Sequence, residues 1–184
     1  MSPLLKIDPT IITLRKEIHQ NPELSGNEKD TALRIKNYVE QFKPDNIVEN
    51  IGGNGLIVTF NGQKPGKTIM FRADIDALPI QEESEFLHKS SYKNVAHLCG
   101  HDGHSAILAN TIRLVSENRP KCGNIMFLFQ PAEETGQGAL NVLADKNFTK
   151  PDFIFGIHRH SYRYYEKYYQ DNEKKKFSRE ECID

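Results

Sequence analysis

From residue 55 onward the apolar residues stop recurring at helical spacing and gather into short, β-branched runs at 56–60, 68–73, 124–129 and 153–157. Helical patterns separate the last three. Ala106, Ala109, Ile112 and Val115 repeat at three- and four-residue spacing, and a shorter helix is expected over 139–144. Strand, helix, strand, helix, strand predicts an α/β layered domain with a largely parallel sheet, because parallel neighbours need a crossover between them. In such sheets ligands sit beyond the carboxyl ends of the strands. Three of the runs lead into polar residues at that end: Asp74 and Asp76, Glu133 and Glu134, and His158. Their convergence on one crevice is the expectation that matters most for function.

The first fifty residues read as two helices. Asp8-Pro9 offers an N-cap followed by a proline in the first turn, Ile11, Leu14 and Ile18 share one face, and Asn21-Pro22 ends the segment. Asn27 with Asp30 resembles a capping box that opens a second helix, in which Ile35, Tyr38, Val39 and Phe42 form the apolar stripe before Pro44. The runs at 56–60 and 68–73, parted by the turn signals Asn61-Gly62 and Pro65-Gly66, predict a hairpin or neighbouring strands. A long irregular stretch spans 81–98.

A chain of 184 residues can bury one ordinary core. Its formal net charge of -1 gives no electrostatic reason to expect nucleic acid or an acidic membrane surface as a partner. No run approaches the roughly 18 apolar residues of a membrane helix. Residues 1–8 lack the pattern of a secretory signal. Cys99, Cys122 and Cys182 are three widely spaced cysteines, which do not make a disulfide framework, so the expected location is cytoplasmic.

Chemistry concentrates in His97-Leu98-Cys99-Gly100-His101-Asp102-Gly103-His104, where three of the seven histidines and one cysteine fall together. In an extended backbone His97, Cys99 and His101 would project to one side. Imidazole with thiolate suits zinc, cobalt, nickel or manganese, and the competing reading is a histidine-rich surface loop around a buried cysteine. Glu133-Glu134 can divide the work of a metallohydrolase, one carboxylate holding the ion and the other deprotonating a water beside it. An acidic helix N-terminus accounts for the same pair without chemistry. Asp74 and Asp76 fall on one side of their strand end, as residues orienting a ligand would, or cap a turn before Pro79. His158, His160 and His19 taken singly read as structural histidines, and His88 falls in a polar loop.

Taken in order, residues 71–79 (FRADIDALP), 99–106 (CGHDGHSA), 129–134 (FQPAEE) and 156–158 (GIH) closely resemble the aminoacylase-like amidohydrolases, which include hippurate hydrolase and the plant auxin-conjugate hydrolases. Residues 14–25 (LRKEIHQNPELS) are similar to that family's opening. The resemblance implies a zinc-exopeptidase-like catalytic domain, a three-layer α/β/α sandwich with a mostly parallel central sheet. It implies metal-dependent hydrolysis of the amide bond of an N-acyl amino acid or small peptide. It also implies two divalent ions (manganese or zinc, with nickel or cobalt as alternatives) held by Cys99, His101, Glu134 and His158, with the thiolate bridging. Glu133 matches the general base and Asp76 a supporting aspartate. Asp74 stands where related exopeptidases carry a metal-binding histidine. The pattern breaks after His158. Residues 159–184 hold five of the seven tyrosines and a lysine run, and read as an aberrant, disordered tail behind an N-terminal catalytic part at 1–158. The expectation is a truncated or frameshifted product without the family's lid and dimerisation domain, its turnover impaired, or else a non-catalytic metal-binding remnant.

Overall fold

The computed structural model describes residues 8–158; the readings made for the tail, His160 and Cys182 lie outside the described residues. The chain runs α1 (Pro9–Gln20), α2 (Lys29–Glu40), β1 (Asn46–Ile51), β2 (Gly55–Asn61), β3 (Lys64–Asp74), α3 (His101–Glu117), β4 (Cys122–Gln130), α4 (Gly138–Ala144) and β5 (Phe153–Gly156). Helix α1 starts as its sequence predicts, with Asp8 accepting from the Thr10 amide at 2.9 Å and Pro9 in the first turn. Helix α2 does not use the expected capping box. Its exposed amides are met from outside the helix by Glu23, which accepts from the Asp30 and Thr31 amides at 3.2 and 2.6 Å and from the Thr31 hydroxyl at 2.7 Å. A carboxylate at a helix N-terminus is favoured by the helix dipole whichever segment supplies it.

One five-stranded sheet has the order β1-β2-β4-β3-β5. The expected pairing of β2 with β3 does not occur, because β4 lies between them, antiparallel to β2 and parallel to β3. Only β4, β3 and β5 form a parallel set, and β1 and β2 add an antiparallel flank, so the sheet is mixed rather than mostly parallel. Side chains of β4 alternate across it. Phe127 and Phe129 turn toward α1, α2 and α3 and meet Ile18, Ile35, Leu108 and Ile112, all fully buried. Met126 and Leu128 turn the other way, against Met70, Ile57 and Val142 of the short α4. The two faces are therefore covered unequally. Each fully buried side chain of this size contributes about 1.5–3 kcal/mol. The run at 153–157 predicted a buried strand, yet β5 is an edge: Phe153, Ile154 and Phe155 are each more than half exposed. Among the described residues its only partner is β3.

The parallel set fixes where the site must be. Asp74 at the end of β3 pairs with Gln130 at the end of β4, and Arg72 pairs with Gly156 of β5. The segments leaving β3, β4 and β5 thus emerge side by side. Because α3 connects two parallel strands, it must return antiparallel to them, which brings its N-terminus, His101, to that same end.

Candidate metal centre

The backbone turns sharply ahead of α3. Gly100 holds φ at 94°, a left-handed conformation that glycine adopts freely, and the helix begins at the next residue. The extended alternation expected for His97, Cys99 and His101 is therefore broken at Gly100. Cys99 and His101 reach the crevice, while His97 is buried beside His19, their rings 6.5 Å apart.

His101 is fully buried, and its two nitrogens have different surroundings. Nδ1 lies 2.9 Å from the Asp76 carbonyl and 3.2 Å from Asp76 Oδ1. Both are acceptors, so in the neutral ring the hydrogen-bond network places the proton on Nδ1 and leaves Nε2 a lone pair. Among the described residues Nε2 has no hydrogen-bond partner. It stands 3.6 Å from Asp74 Oδ1, 3.8 Å from Glu133 Oε2 and 3.6 Å from Glu134 Oε1. Those separations are too long for hydrogen bonds. They match the roughly 3.3–3.8 Å between neighbouring donors that share one ion at metal–ligand distances of about 2.0–2.3 Å. Glu134 Oε1 is likewise buried without a hydrogen-bond partner among the described residues. Two orphaned acceptors of this kind, side by side, fit a cation between them.

Donor atoms of Cys99, His101 and His158 lie within 4.8 Å of one another, as do those of Asp74, His101, Glu133 and His158. Of the residues singled out from sequence, all six of Cys99, His101, Glu133, Glu134, His158 and Asp76 meet at this end of the sheet. One detail departs from the expected division of labour. Glu133, read as the base, stands within the second donor group, whereas Glu134, read as the ligand, approaches it through His101 Nε2. Burial separates the two more sharply: the Glu133 side chain is 30% exposed and that of Glu134 is 20%, with its inner oxygen sealed.

Electrostatics follow the same geometry. Burial pushes the Cys99 thiol up to about 12, assisted by the charge of Glu134 and a side-chain contact with it, and then by the charges of Glu133 and Asp74. Burial would lower His101, but its bond to Asp76 and the charges of Asp74, Asp76 and Glu134 prevail and raise it. Burial would raise Asp76, yet bonds from His101, from the Ser25 hydroxyl at 2.7 Å and from the Glu134 amide at 3.0 Å bring it down to about 2. Asp74 accepts from His104 Nδ1 at 2.7 Å and pairs with Arg72 Nη1 at 2.8 Å. Its place is now defined, between an imidazole, a guanidinium and His101.

Sequence reasoning missed a second buried network behind this cluster. His19, taken for a structural histidine, bridges Asp102 Oδ2 and Glu82 Oε1, each at 3.1 Å, and Arg15 Nε adds a third contact to Asp102 at 3.0 Å. Nothing in the local sequence marks Glu82, which lies in the irregular stretch. Asp102 also falls to about 2, since the bond from His19 and nearby positive charge outweigh its burial. The folded-state values of Asp76 and Asp102 lie below the ordinary 3.8, so their contribution is complete above about pH 4 and is lost as pH falls toward 2. Each is worth about 2 kcal/mol. Metal-free chain should therefore lose melting temperature steeply between pH 4 and 2. Asp76→Asn should show a shallower loss, and parallel curves for the two proteins would contradict this account.

The sequence model of peptidase family M20/M25/M40 matches residues 70–166, more than half of the chain. The chain belongs to this family. An N-acetyl-L-cysteine deacetylase of Bacillus subtilis is 38% identical over 156 residues, covering 84% of this chain and 37% of the relative. Thermostable carboxypeptidase 2 of Saccharolobus solfataricus is 38% identical over 157 residues, covering 83% of this chain and 40% of the relative. The crystal structure of Bacillus subtilis YxeP, described as a dinuclear metal binding peptidase of the M20 family, superposes with a TM-score of 0.77. It is 36% identical, and the match covers 83% of this chain and 43% of that one. The chain thus spans about two fifths of the length of these M20 relatives. The family resemblance read from the motifs holds, and M20 members hydrolyse amide or peptide bonds. No described helix is long and apolar enough to cross a membrane.

Proposed function

We propose that this chain carries the metal-binding part of an M20 hydrolase that cleaves the C–N amide bond of an N-acyl amino acid or small peptide. The observation that supports it most is the meeting of Cys99, His101, Asp74, Glu133, Glu134 and His158 at one strand end, with His101 Nε2 and Glu134 Oε1 buried and unpartnered among the described residues. The substrate class follows the relatives, one a deacetylase of an N-acetyl amino acid and one a carboxypeptidase. Cys99, His101, Glu134 and His158 would hold the ions, which number two by analogy with the dinuclear relative. Zinc suits the thiolate, imidazole and carboxylate donors together, manganese is favoured by the carboxylates, and nickel or cobalt fit the same ligands.

When bound, a divalent ion polarises the amide carbonyl and lowers the pKa of a water. The chain's own residues do the rest. Asp76 keeps the His101 proton on Nδ1 and accepts the Glu134 amide, which orients both groups from behind. Glu133, the more exposed of the acidic pair, takes a proton from the attacking water and delivers it to the departing nitrogen. Calorimetric titration with zinc or manganese should show uptake by the chain and none by His101→Ala. Hydrolysis of a panel of N-acetyl amino acids, abolished by a chelator, tests the reaction itself. Absence of metal uptake would sink the proposal. The second reading is a metal-binding chain without turnover, because the orphaned atoms at His101 and Glu134 among the described residues speak for an ion and not for a reaction. Metal uptake with no hydrolysis of any panel member would select it.

A further inference from the structure

Glu28 is fully buried, and among the described residues no basic nitrogen forms an ion pair with it. Its partners are hydrogen-bond donors from three separate loops. Oε1 accepts from the Gly26 amide and from the Ala132 amide, both at 2.8 Å, and Oε2 accepts from Asn54 Nδ2 at 3.1 Å. A buried carboxylate is costly unless its oxygens are bonded, so these contacts define where the loops must be.

The bond to Ala132 has the clearest consequence. Ala132 holds φ at 51°, in the left-handed region that alanine rarely enters, directly before Glu133 and Glu134. Its amide is held by Glu28, and its carbonyl accepts from the Gly138 amide at 2.9 Å. Gly138 approaches so closely that a Cβ there would lie 1.7 Å from the Pro131 carbonyl oxygen. Two residues further on, the Glu134 amide is tied to Asp76, which Ser25 also holds. The segment carrying Ser25 and Glu28 thus grips the acidic turn at two amides, that of Glu134 through Asp76 and that of Ala132 directly.

We propose that Glu28 is a positioning residue whose buried carboxylate locks Ala132 in its left-handed conformation and so aims Glu133 and Glu134 at His101. The inference rests on the reading in which those two glutamates serve the metal centre. Neither oxygen of Glu28 touches the centre, and its effect passes through the backbone of the turn.

The test uses the intact chain in four forms: wild type, E28A, E28Q and the double variant E28A/A132G. It reads zinc affinity by calorimetry and amide hydrogen exchange at Ala132. E28A should speed exchange at Ala132 and weaken zinc binding by about 10–100-fold, the usual effect of removing a group that orients metal ligands. E28Q keeps an oxygen for both amides but sets its Nε2 against Asn54 Nδ2, donor against donor, so exchange at Ala132 and zinc affinity should stay close to wild type while the chain melts lower. Glycine enters the left-handed region without penalty, so the double variant should recover about fivefold or more of the affinity lost in E28A. That rescue is not expected if Glu28 merely braces the loops at Gly26 and Asn54. Wild-type exchange and affinity in E28A would overturn the proposal, as would a double variant no better than E28A. If E28A does not fold, a folded, zinc-binding double variant supports the proposal and an unfolded one overturns it. Failure of the wild type to bind zinc would remove the metal reading, while Ala132 exchange in E28A would still decide whether Glu28 holds the turn.

Discussion

Replacing Glu133 by Gln should leave metal affinity within a few-fold of the parent and lower turnover by roughly two or more orders of magnitude, the usual cost of a missing general base. Glu134→Gln should do the reverse and lose metal first. The two residues are adjacent in sequence, so the split depends on their surroundings. Glu134 has a sealed oxygen with no hydrogen-bond partner among the described residues, an arrangement that is costly without a cation and would become a buried neutral amide in the variant. Glu133 is more open and lies between His101 Nε2 at 3.8 Å and His158 Nε2 at 3.7 Å, where a substrate amide could reach it. Metal content is read on this chain, and turnover on a polypeptide spanning the full length of the relatives. Equal loss of metal in both variants would refute the assignment. That outcome has a structural rationale, because Glu133 also falls within a donor group with Asp74, His101 and His158.

Local features of the sequence were legible where one residue acts on its own neighbourhood. The Asp8-Pro9 helix start, the stripe of α2 and the apolar run of β4 follow from capping chemistry and periodicity. The convergence of strand ends was legible too, since parallel strands joined by a helix have their carboxyl ends together whatever their order. Strand order was not. The turn signals between β2 and β3 predict proximity in sequence, and only burial of Phe127 and Phe129 between two neighbours explains why β4 takes the place between them. β1, half-exposed and irregular beside β2, carries too weak an alternation to stand out. In the site, Cys99, His101 and the acidic pair announced themselves by clustering, whereas Glu28 and Glu82 did not. Both are buried carboxylates whose partners lie far along the chain: Ala132 is 104 residues from Glu28, and His19 is 63 from Glu82. A glutamate of this kind looks like any surface glutamate until the fold removes it from water.

Saturating zinc or manganese should raise the melting temperature of this chain by about 8–16 °C, and a chelator should reverse the gain. The centre gathers the carboxylates of Asp74, Asp76, Glu133 and Glu134 around one imidazole, and the guanidinium of Arg72 pairs with Asp74. Like charges packed this closely oppose folding, and a divalent ion that binds only the folded donor set relieves them. At free metal about 1,000 times the dissociation constant, the linked stabilisation is about 4 kcal/mol. For a chain of this length each kcal/mol is worth about 2–4 °C. Magnesium should produce much less, because imidazole and thiolate are poor ligands for so hard an ion. His101→Ala should abolish the metal-dependent shift, since Asp74, Glu133 and Glu134 all lie within 3.8 Å of Nε2. It should also melt below the parent without metal, because the four carboxylates would then lose the imidazole that faces them. A melting temperature indifferent to zinc, manganese, nickel and cobalt would show that the orphaned atoms at His101 and Glu134 are satisfied in some other way.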